Sequence, residues 1–320
     1  MAMRPDQVEQ FHRDGFVIVE DVFTPADLQP AMDGIADIVD HFADLLYDAG
    51  KIPSKHADKD FHTRLAAIER DYPESSVLVH HFGVLPPELA ELWSCDALID
   101  MVAQLIGPDI GGHPIWNIRS KTPQTERMTV PWHQDTAYLL PGAEASVQPA
   151  AWIPFEDIGA EIGAIQVVRG GHTGRICEHY IENRTGNPHS WYLFIPADDL
   201  PQEDVVTCEM RFGSVLFLHN MTPHRSLENL SDRVRWSVDL RWQNPALPTG
   251  QEGAGELIVM RKADDPEFRP DWAAWTARAR EERRAYGLHG DSDALDFEKT
   301  YDGGWLRRWE RPIPDGARIG

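Results

Sequence analysis

The chain has 320 residues, 42% hydrophobic and 26% charged, an ordinary balance for a soluble globular protein. Its formal net charge of −22 disfavours nucleic acid and anionic membranes as partners, and no run of about 18 apolar residues suggests a membrane span. Cys95, Cys177 and Cys208 are too few and too scattered for a disulfide framework or a CxxC metal site; the N-terminus lacks the apolar core of a signal peptide, so a cytoplasmic location is expected.

In chain order, the opening residues read as a short helix and Gly15-Phe16-Val17-Ile18-Val19 as a strand. Thr24 followed by Pro25 is a helix start, and the apolar stripe Ile35, Ile38, Val39, Phe42, Leu46 carries that helix to about Tyr47. The charged stretch Ser54 to Ser75 suggests another helical piece, and Pro86 to Leu105 a further helix. After residue 112 the character changes. Short alternating or apolar segments at 114–121, 129–135, 150–155, 164–168, 205–209, 214–219 and 234–242 predict strands of a sandwich or barrel. The loop-rich stretch at about 170–202 has the length of a lid, and from Asp264 a helix through Trp272, Trp275 and Tyr286 precedes an irregular tail with Trp305 and Trp309. One domain over 1–320 is expected: helix-rich support to about 112, a β core over about 113–243, and a helical and irregular tail from about 244. Oligomeric state, monomer or homodimer, is open.

The residues that carry chemistry are Trp132-His133-Gln134-Asp135. On a strand, His133 and Asp135 project to the same side, because side chains alternate with period two. A His-x-Asp alone is commonly just a hydrogen-bonded pair, so a third ligand matters. A distant imidazole would complete the 2-His-1-carboxylate facial set of non-haem Fe(II) oxygenases. His219 and His224 compete for that place. His219 ends the apolar run Val215–Leu218 and reads as a packed histidine. Ten residues separate His224 from Arg235, enough for a turn at Glu228–Ser231 and a hairpin return that sets Arg235 beside His224. Arg235 would offer a guanidinium fork to a carboxylate.

At these residues the chain resembles the phytanoyl-CoA dioxygenase-like family of Fe(II)/2-oxoglutarate oxygenases. The likeness lies in Arg13–Val22, Pro131–Asp135, Ala151–Asp157, Gly163–His172 and Phe212–Phe217 with His224, Ser226, Asn229, Ser231 and Arg235, roughly residues 8 to 243. It implies a mainly β fold with flanking helices, a double-stranded β-helix (jelly-roll, cupin-like barrel). It implies iron at His133, Asp135 and His224, 2-oxoglutarate held by Arg235 and Ser226, and O2 as the third reactant. Gly171 and Ser214 depart from the family's usual serine and aspartate, neither a metal ligand. Related halogenases lack the metal carboxylate, so Asp135 favours hydroxylation of an unactivated C–H bond of a small molecule, with release of succinate and CO2. Desaturation or epoxidation by the same chemistry, a non-catalytic jelly-roll protein binding a metal or small acid, and a zinc hydrolase are the alternatives. Fe(II), Arg235, Asp135 and the dianionic co-substrate sum to zero charge, as an enclosed site requires.

On the strand Val234 to Trp242, Arg235, Ser237, Asp239 and Arg241 share one face and Trp236, Val238, Leu240 and Trp242 the other. Arg241 is thus a substrate-binding candidate, or a partner in an Asp239–Arg241 or cross-strand ion pair. Asn117, Arg119 and Lys121 share a face and could reach the second co-substrate carboxylate or a substrate anion; a solvated edge is the alternative. Trp132 and Tyr138 could wall the pocket or pack in the core. His172, Arg175 and His179 are loop residues that could touch substrate.

Overall fold

The computed structural model describes residues 1–81, 84–125, 128–181, 192–251, 256–285, 308–309 and 313. Helices α1 (Pro5–Asp14) and α2 (Pro25–Asp48) flank strand β1 (Phe16–Val19). Helix α2 starts as its sequence dictates: the Asp27 carboxylate accepts from the Thr24 N–H at 2.8 Å and the Thr24 hydroxyl at 2.6 Å. Helices α3 (Arg64–Asp71) and α4 (Ser75–His81) follow. The single helix expected over 86–105 is two, α5 (Pro87–Trp93) and α6 (Asp96–Ile106), because the backbone is extended at Cys95 (φ −66°, ψ 146°).

The remaining strands are β2 (Ile110–Gly112), β3 (Asn117–Lys121), β4 (Ala150–Pro154), β5 (Ile165–Val168), β6 (Tyr180–Ile181), β7 (Leu193–Phe194), β8 (Val205–Cys208), β9 (Val215–Leu218), β10 (His224–Ser226), β11 (Arg235–Gln243) and β12 (Ile258–Arg261). Their pairings are antiparallel. A seven-stranded sheet runs β1-β9-β4-β11-β2-β12 with β3 also on β11, a three-stranded sheet runs β10-β5-β8, and β6 pairs β7 within the segment expected as loop.

Alternation explains why β4 and β9 read as nearly continuous apolar runs: both their faces are buried. Ala151, Ile153, Val215 and Phe217 face the helices, in one core with Phe42, Trp93 and Val102. Ala150, Trp152, Leu216 and Leu218 face the other way, packing with Ile165, Val167 and Cys208 of the three-stranded sheet. On β11 the split is chemical as well. Trp236, Val238, Leu240 and Trp242 have no exposed surface and lie in the helical core, each such burial contributing about 2–3 kcal/mol. The alternate residues turn to the space between the sheets.

Helix α7 (Trp272–Ala285) begins later than its sequence suggests. Trp272 and Trp275 pack on Trp93 at 5.7 and 6.1 Å between ring centres, so this part of the tail covers the helical layer. Tyr286 and Trp305 lie outside the described residues. Among the described helices none is long and apolar enough to cross a membrane.

Candidate metal centre

His133, Asp135 and His224 each present one ligand atom, all within 4.8 Å of one another. The segment 129–135 is not the regular strand that was expected. His133 and His224 form an isolated antiparallel bridge, and the Ser226 N–H donates to the Val130 carbonyl at 3.0 Å. Three residue steps on one strand therefore oppose two on β10, and Pro131, which has no N–H to donate, lies between. Asp135 opens a 3-10 turn, Asp135–Tyr138. The same-side projection survives because the intervening Gln134 is extended (φ −111°, ψ 133°). His133 Nε2 and Asp135 Oδ1 lie 3.7 Å apart.

Hydrogen bonding fixes both imidazoles for ligation. His133 Nδ1 lies 2.8 Å from the Pro131 carbonyl and His224 Nδ1 3.0 Å from the Thr222 carbonyl. A carbonyl only accepts, so each Nδ1 carries the hydrogen and each Nε2 keeps its lone pair. Burial, reinforced by His133, lowers the His224 pKa to about 4 and keeps that ring neutral. Burial alone would raise the Asp135 carboxyl, but Arg241, bonded to both its oxygens, holds it well below the usual range. Two imidazoles and one carboxylate suit a borderline divalent metal such as Fe(II).

Gln134, fully buried, anchors the motif from its other side. Its amide donates to the Met221 carbonyl and accepts from the Cys177 N–H, both at 2.7 Å. Its backbone N–H donates to His179 Nε2 at 3.1 Å. His179, stacked on Trp309 at 4.9 Å, therefore supports the motif and lines neither cavity. His172 bonds the His12 carbonyl at 3.0 Å and stacks on His219, and Arg175 is exposed. His219 is a packed residue, as expected, and lies outside the ligand cluster.

The hairpin expected between His224 and Arg235 does not form. Strand β10 pairs β5, while β11 pairs β3 and β4. The turn crosses from one sheet to the other, pinned by Asn229, whose amide donates to the carbonyls of Lys121 (2.9 Å) and Arg233 (2.7 Å). Arg235 consequently faces Ser226 across a cavity of about 640 Å3, also lined by the three ligand candidates. It lies opposite Lys121 in the β3–β11 register, so both side chains enter that cavity. Arg235 lies over the Trp152 ring at 5.2 Å and donates to Ser237 Oγ at 2.6 Å; its Nε is buried without a hydrogen-bond partner among the described residues. Burial lowers its pKa to about 10, leaving it charged at neutral pH. Ser226 Oγ accepts from Lys121 Nζ (2.7 Å) and the Val130 N–H (3.0 Å), leaving its own hydrogen to donate.

A second cavity of about 810 Å3 shares Arg119, His133, Asp135, Tyr192 and Arg241 with the first and adds Asn117 and Tyr138. Arg119 pairs Asp239 at 2.8 Å, the cross-strand alternative, since Asn117 stands opposite Asp239 and Arg119 one step along the same face. The Asp239–Arg241 pair is not formed. Arg241 instead grips both Asp135 oxygens, at 3.0 and 3.2 Å. Trp132 does not line either cavity: 1% exposed, it packs with Val168, Ile195 and Leu200 beneath Arg225. Sequence reasoning missed Trp152 and Tyr192; a bulky aromatic in an apolar run carries no signal that its ring will meet a cation.

A family model described as phytanoyl-CoA dioxygenase matches residues 11–237. A phytanoyl-CoA dioxygenase of Arabidopsis thaliana is 27% identical over 108 residues, 34% of this chain and 36% of that protein. A probable phytanoyl-CoA dioxygenase of Caenorhabditis elegans is 28% identical over 220 residues, 61% and 68% of the two lengths. The aligned chain thus spans about a third of the Arabidopsis protein. Among solved structures, the non-haem monooxygenase ThoJ aligns with a TM-score of 0.55 at 20% identity, covering 88% of this chain and 98% of its own. The non-haem alpha-ketoglutarate-dependent carbocyclase SnoK of nogalamycin biosynthesis aligns with a TM-score of 0.50 at 18% identity, covering 84% and 92%. At such identities the likeness speaks for the fold.

Proposed function

The chain belongs to the phytanoyl-CoA dioxygenase family, and from that premise we propose that it is an Fe(II)/2-oxoglutarate-dependent dioxygenase that hydroxylates a small molecule. The observation that carries this reading is the meeting of His133, Asp135 and His224 within 4.8 Å, with both Nδ1 atoms already engaged. Iron bound there with 2-oxoglutarate and O2 would supply an oxidant able to take hydrogen from an unactivated C–H bond, with release of succinate and CO2.

The chain's own residues have definite parts in this proposal. His133, Asp135 and His224 hold the metal, leaving one side of it for reactants. Arg235, with its unsatisfied Nε, and the Ser226 hydroxyl receive the far carboxylate of 2-oxoglutarate. Lys121, hydrogen-bonded to Ser226, adds positive charge at the same end. Trp152 and Tyr192 line the cavity and limit water there. We read the two sheets as the halves of a double-stranded β-helix, a reading supported by site residues coming from both. The single-domain arrangement and a covering role for about 170–202 belong to the same proposal; Tyr192, lining both cavities, supports the latter, while residues 182–191 of that stretch lie outside the described residues.

The test is an anaerobic titration with Fe(II) and 2-oxoglutarate, followed by succinate measurement on admitting O2. A weak visible charge-transfer band and O2-dependent succinate are expected. Both should be lost in His133→Ala and Asp135→Ala; turnover persisting in either variant, with the metal content verified, would sink the assignment.

A further inference from the structure

The charge sum drawn from the sequence omits a cation that the fold places at the metal centre. Asp135 serves two partners, the prospective metal and Arg241, and both side chains are nearly closed off, at 11% and 9% exposure. Asp239 is paired with Arg119 at 2.8 Å, and Arg241 is bonded to Asp135 instead. Once Asp135 is committed to a metal dication, and 2-oxoglutarate balances the metal, Arg235, the buried Lys121 and Arg241 exceed Asp135 by two positive charges, and of these three cations Arg241 alone lines the second cavity. A buried cation left in that position is costly unless another anion arrives.

The second cavity shows where such an anion would sit. With its amide oxygen turned toward the two guanidinium groups, Asn117 accepts from Arg241 Nη1 at 3.3 Å and from Arg119 Nη2 at 3.2 Å. Arg241 thus uses Nε, Nη1 and Nη2 once each, and two of its five N–H donors remain for a ligand. The rest of the wall mixes polar groups with aromatic and aliphatic surface. Tyr138 accepts from the Leu193 N–H at 3.0 Å, and burial raises its pKa, so it stays a phenol with a hydrogen to donate. Gln251 Oε1 is a buried acceptor without a partner among the described residues. Among the described residues the aliphatic lining is Ile115, Val130 and Leu139, three side chains with no continuous aliphatic run.

We propose that Arg241 is the specificity-determining residue of this cavity and that the substrate is a small anion, a carboxylate that also bears a hydroxyl group. The carboxylate docks on Arg241 beside the metal centre, and the hydroxyl donates to Gln251. This rests on the oxygenase reading above and narrows it. It also separates this chain from an enzyme whose substrate is a branched alkyl chain on a coenzyme A thioester.

The test uses the full chain loaded anaerobically with Fe(II) and saturating 2-oxoglutarate, so that added acids cannot act by filling the co-substrate site. The probes are C4 to C10 hydroxycarboxylates, their methyl esters, and straight- and branched-chain acyl-CoAs. The readouts are the melting-temperature shift and, after O2 is admitted, succinate release. At least one acid is expected to outperform its ester by about tenfold or more. That ratio should fall to about one in Arg241→Gln and be largely retained in Arg241→Lys. Being a ratio measured on one loaded protein, it is insensitive to how much metal a variant holds. Esters equal to acids, a response to acyl-CoA alone, no response to any acid, or a ratio unchanged in Arg241→Gln would each overturn the proposal. Failure of Fe(II) and 2-oxoglutarate to bind the wild type would overturn the oxygenase reading instead.

Discussion

His133 and His224 exchange both of their backbone hydrogen bonds, each 2.9 Å long, so the two candidate imidazole ligands are fastened to each other through the main chain. Their rings lie 4.2 Å apart centre to centre. The centre is therefore largely preorganised, and its metal affinity should depend on the groups that hold this bridge in place.

Gln134 is the most direct test of that dependence. Gln134→Ala leaves the Met221 carbonyl and the Cys177 N–H, each now bonded at 2.7 Å, without a side-chain partner. We expect a stability loss of about 2–4 kcal/mol and a metal affinity weakened about tenfold. Urea denaturation and Mn(II) titration read the two separately. An affinity unchanged in a destabilised variant would mean that the ligands hold their positions without it.

Arg235→Gln removes the fork opposite Ser226 while keeping a polar side chain of similar length. The KM for 2-oxoglutarate should rise by roughly two orders of magnitude, the value of a buried charged contact, with metal binding retained. Arg235→Lys should be intermediate, because an ammonium cannot form the same bidentate contact. Steady-state succinate formation against 2-oxoglutarate concentration decides it.

Stability against pH should show two opposed contributions. His113 has no exposed surface, and burial lowers its pKa to about 4. Its Nδ1 accepts from the Ile115 N–H at 3.2 Å while Nε2 lies 3.0 Å from the Thr249 carbonyl, so a second proton would displace the Ile115 bond. As pH falls from about 6.5 towards 4 the unfolded chain gains a proton that the folded chain refuses, at a cost on the order of 2–3 kcal/mol. His62 goes the other way. Burial opposes its charge, but Glu156 at 3.4 Å leaves the pKa raised. Its contribution is complete below the unfolded value and fades as pH rises through the folded one. Denaturation of the metal-free protein across pH should therefore show a shallower acid slope in His113→Gln and a lost alkaline-side slope in His62→Asn.

Gly213 carries a positive φ of 82°, and its carbonyl accepts from the Val22 and Phe23 N–H groups at 2.9 and 3.0 Å. A Cβ there would run into the Phe23 carbonyl, so both backbone strain and a clash oppose any side chain. Gly213→Ala should cost at least about 2–3 kcal/mol, seen as a lowered melting temperature without a change in the metal-ligand geometry.

Several of these features were readable in the sequence. The faces of β11 and the N-terminus of α2 follow from period two and from an N-cap threonine followed by proline, which are local rules. The pairing of His133 with Asp135 needed only one extended residue between them, and it survived Pro131 breaking the strand. What escaped is non-local. That β10 and β11 join different sheets depends on Asn229 pinning the crossing. That Arg241 takes Asp135 follows from β3 delivering Arg119 to Asp239, and nothing within residues 235–243 records this. Strands as short as β10 and β2 carry too few residues to show a period at all.

The double duty of β11 has a consequence for how this protein can change. Its indole face is committed to the helical layer and its charged face lines the candidate metal site, so nearly every position along it answers to folding, to that site, or to both. Residues 139, 148 and 251 border the second cavity from segments outside the central sheet. Altered substrate preference, whether by drift or by laboratory selection, should accumulate at those positions first, with β11 as the fixed rail along which they vary.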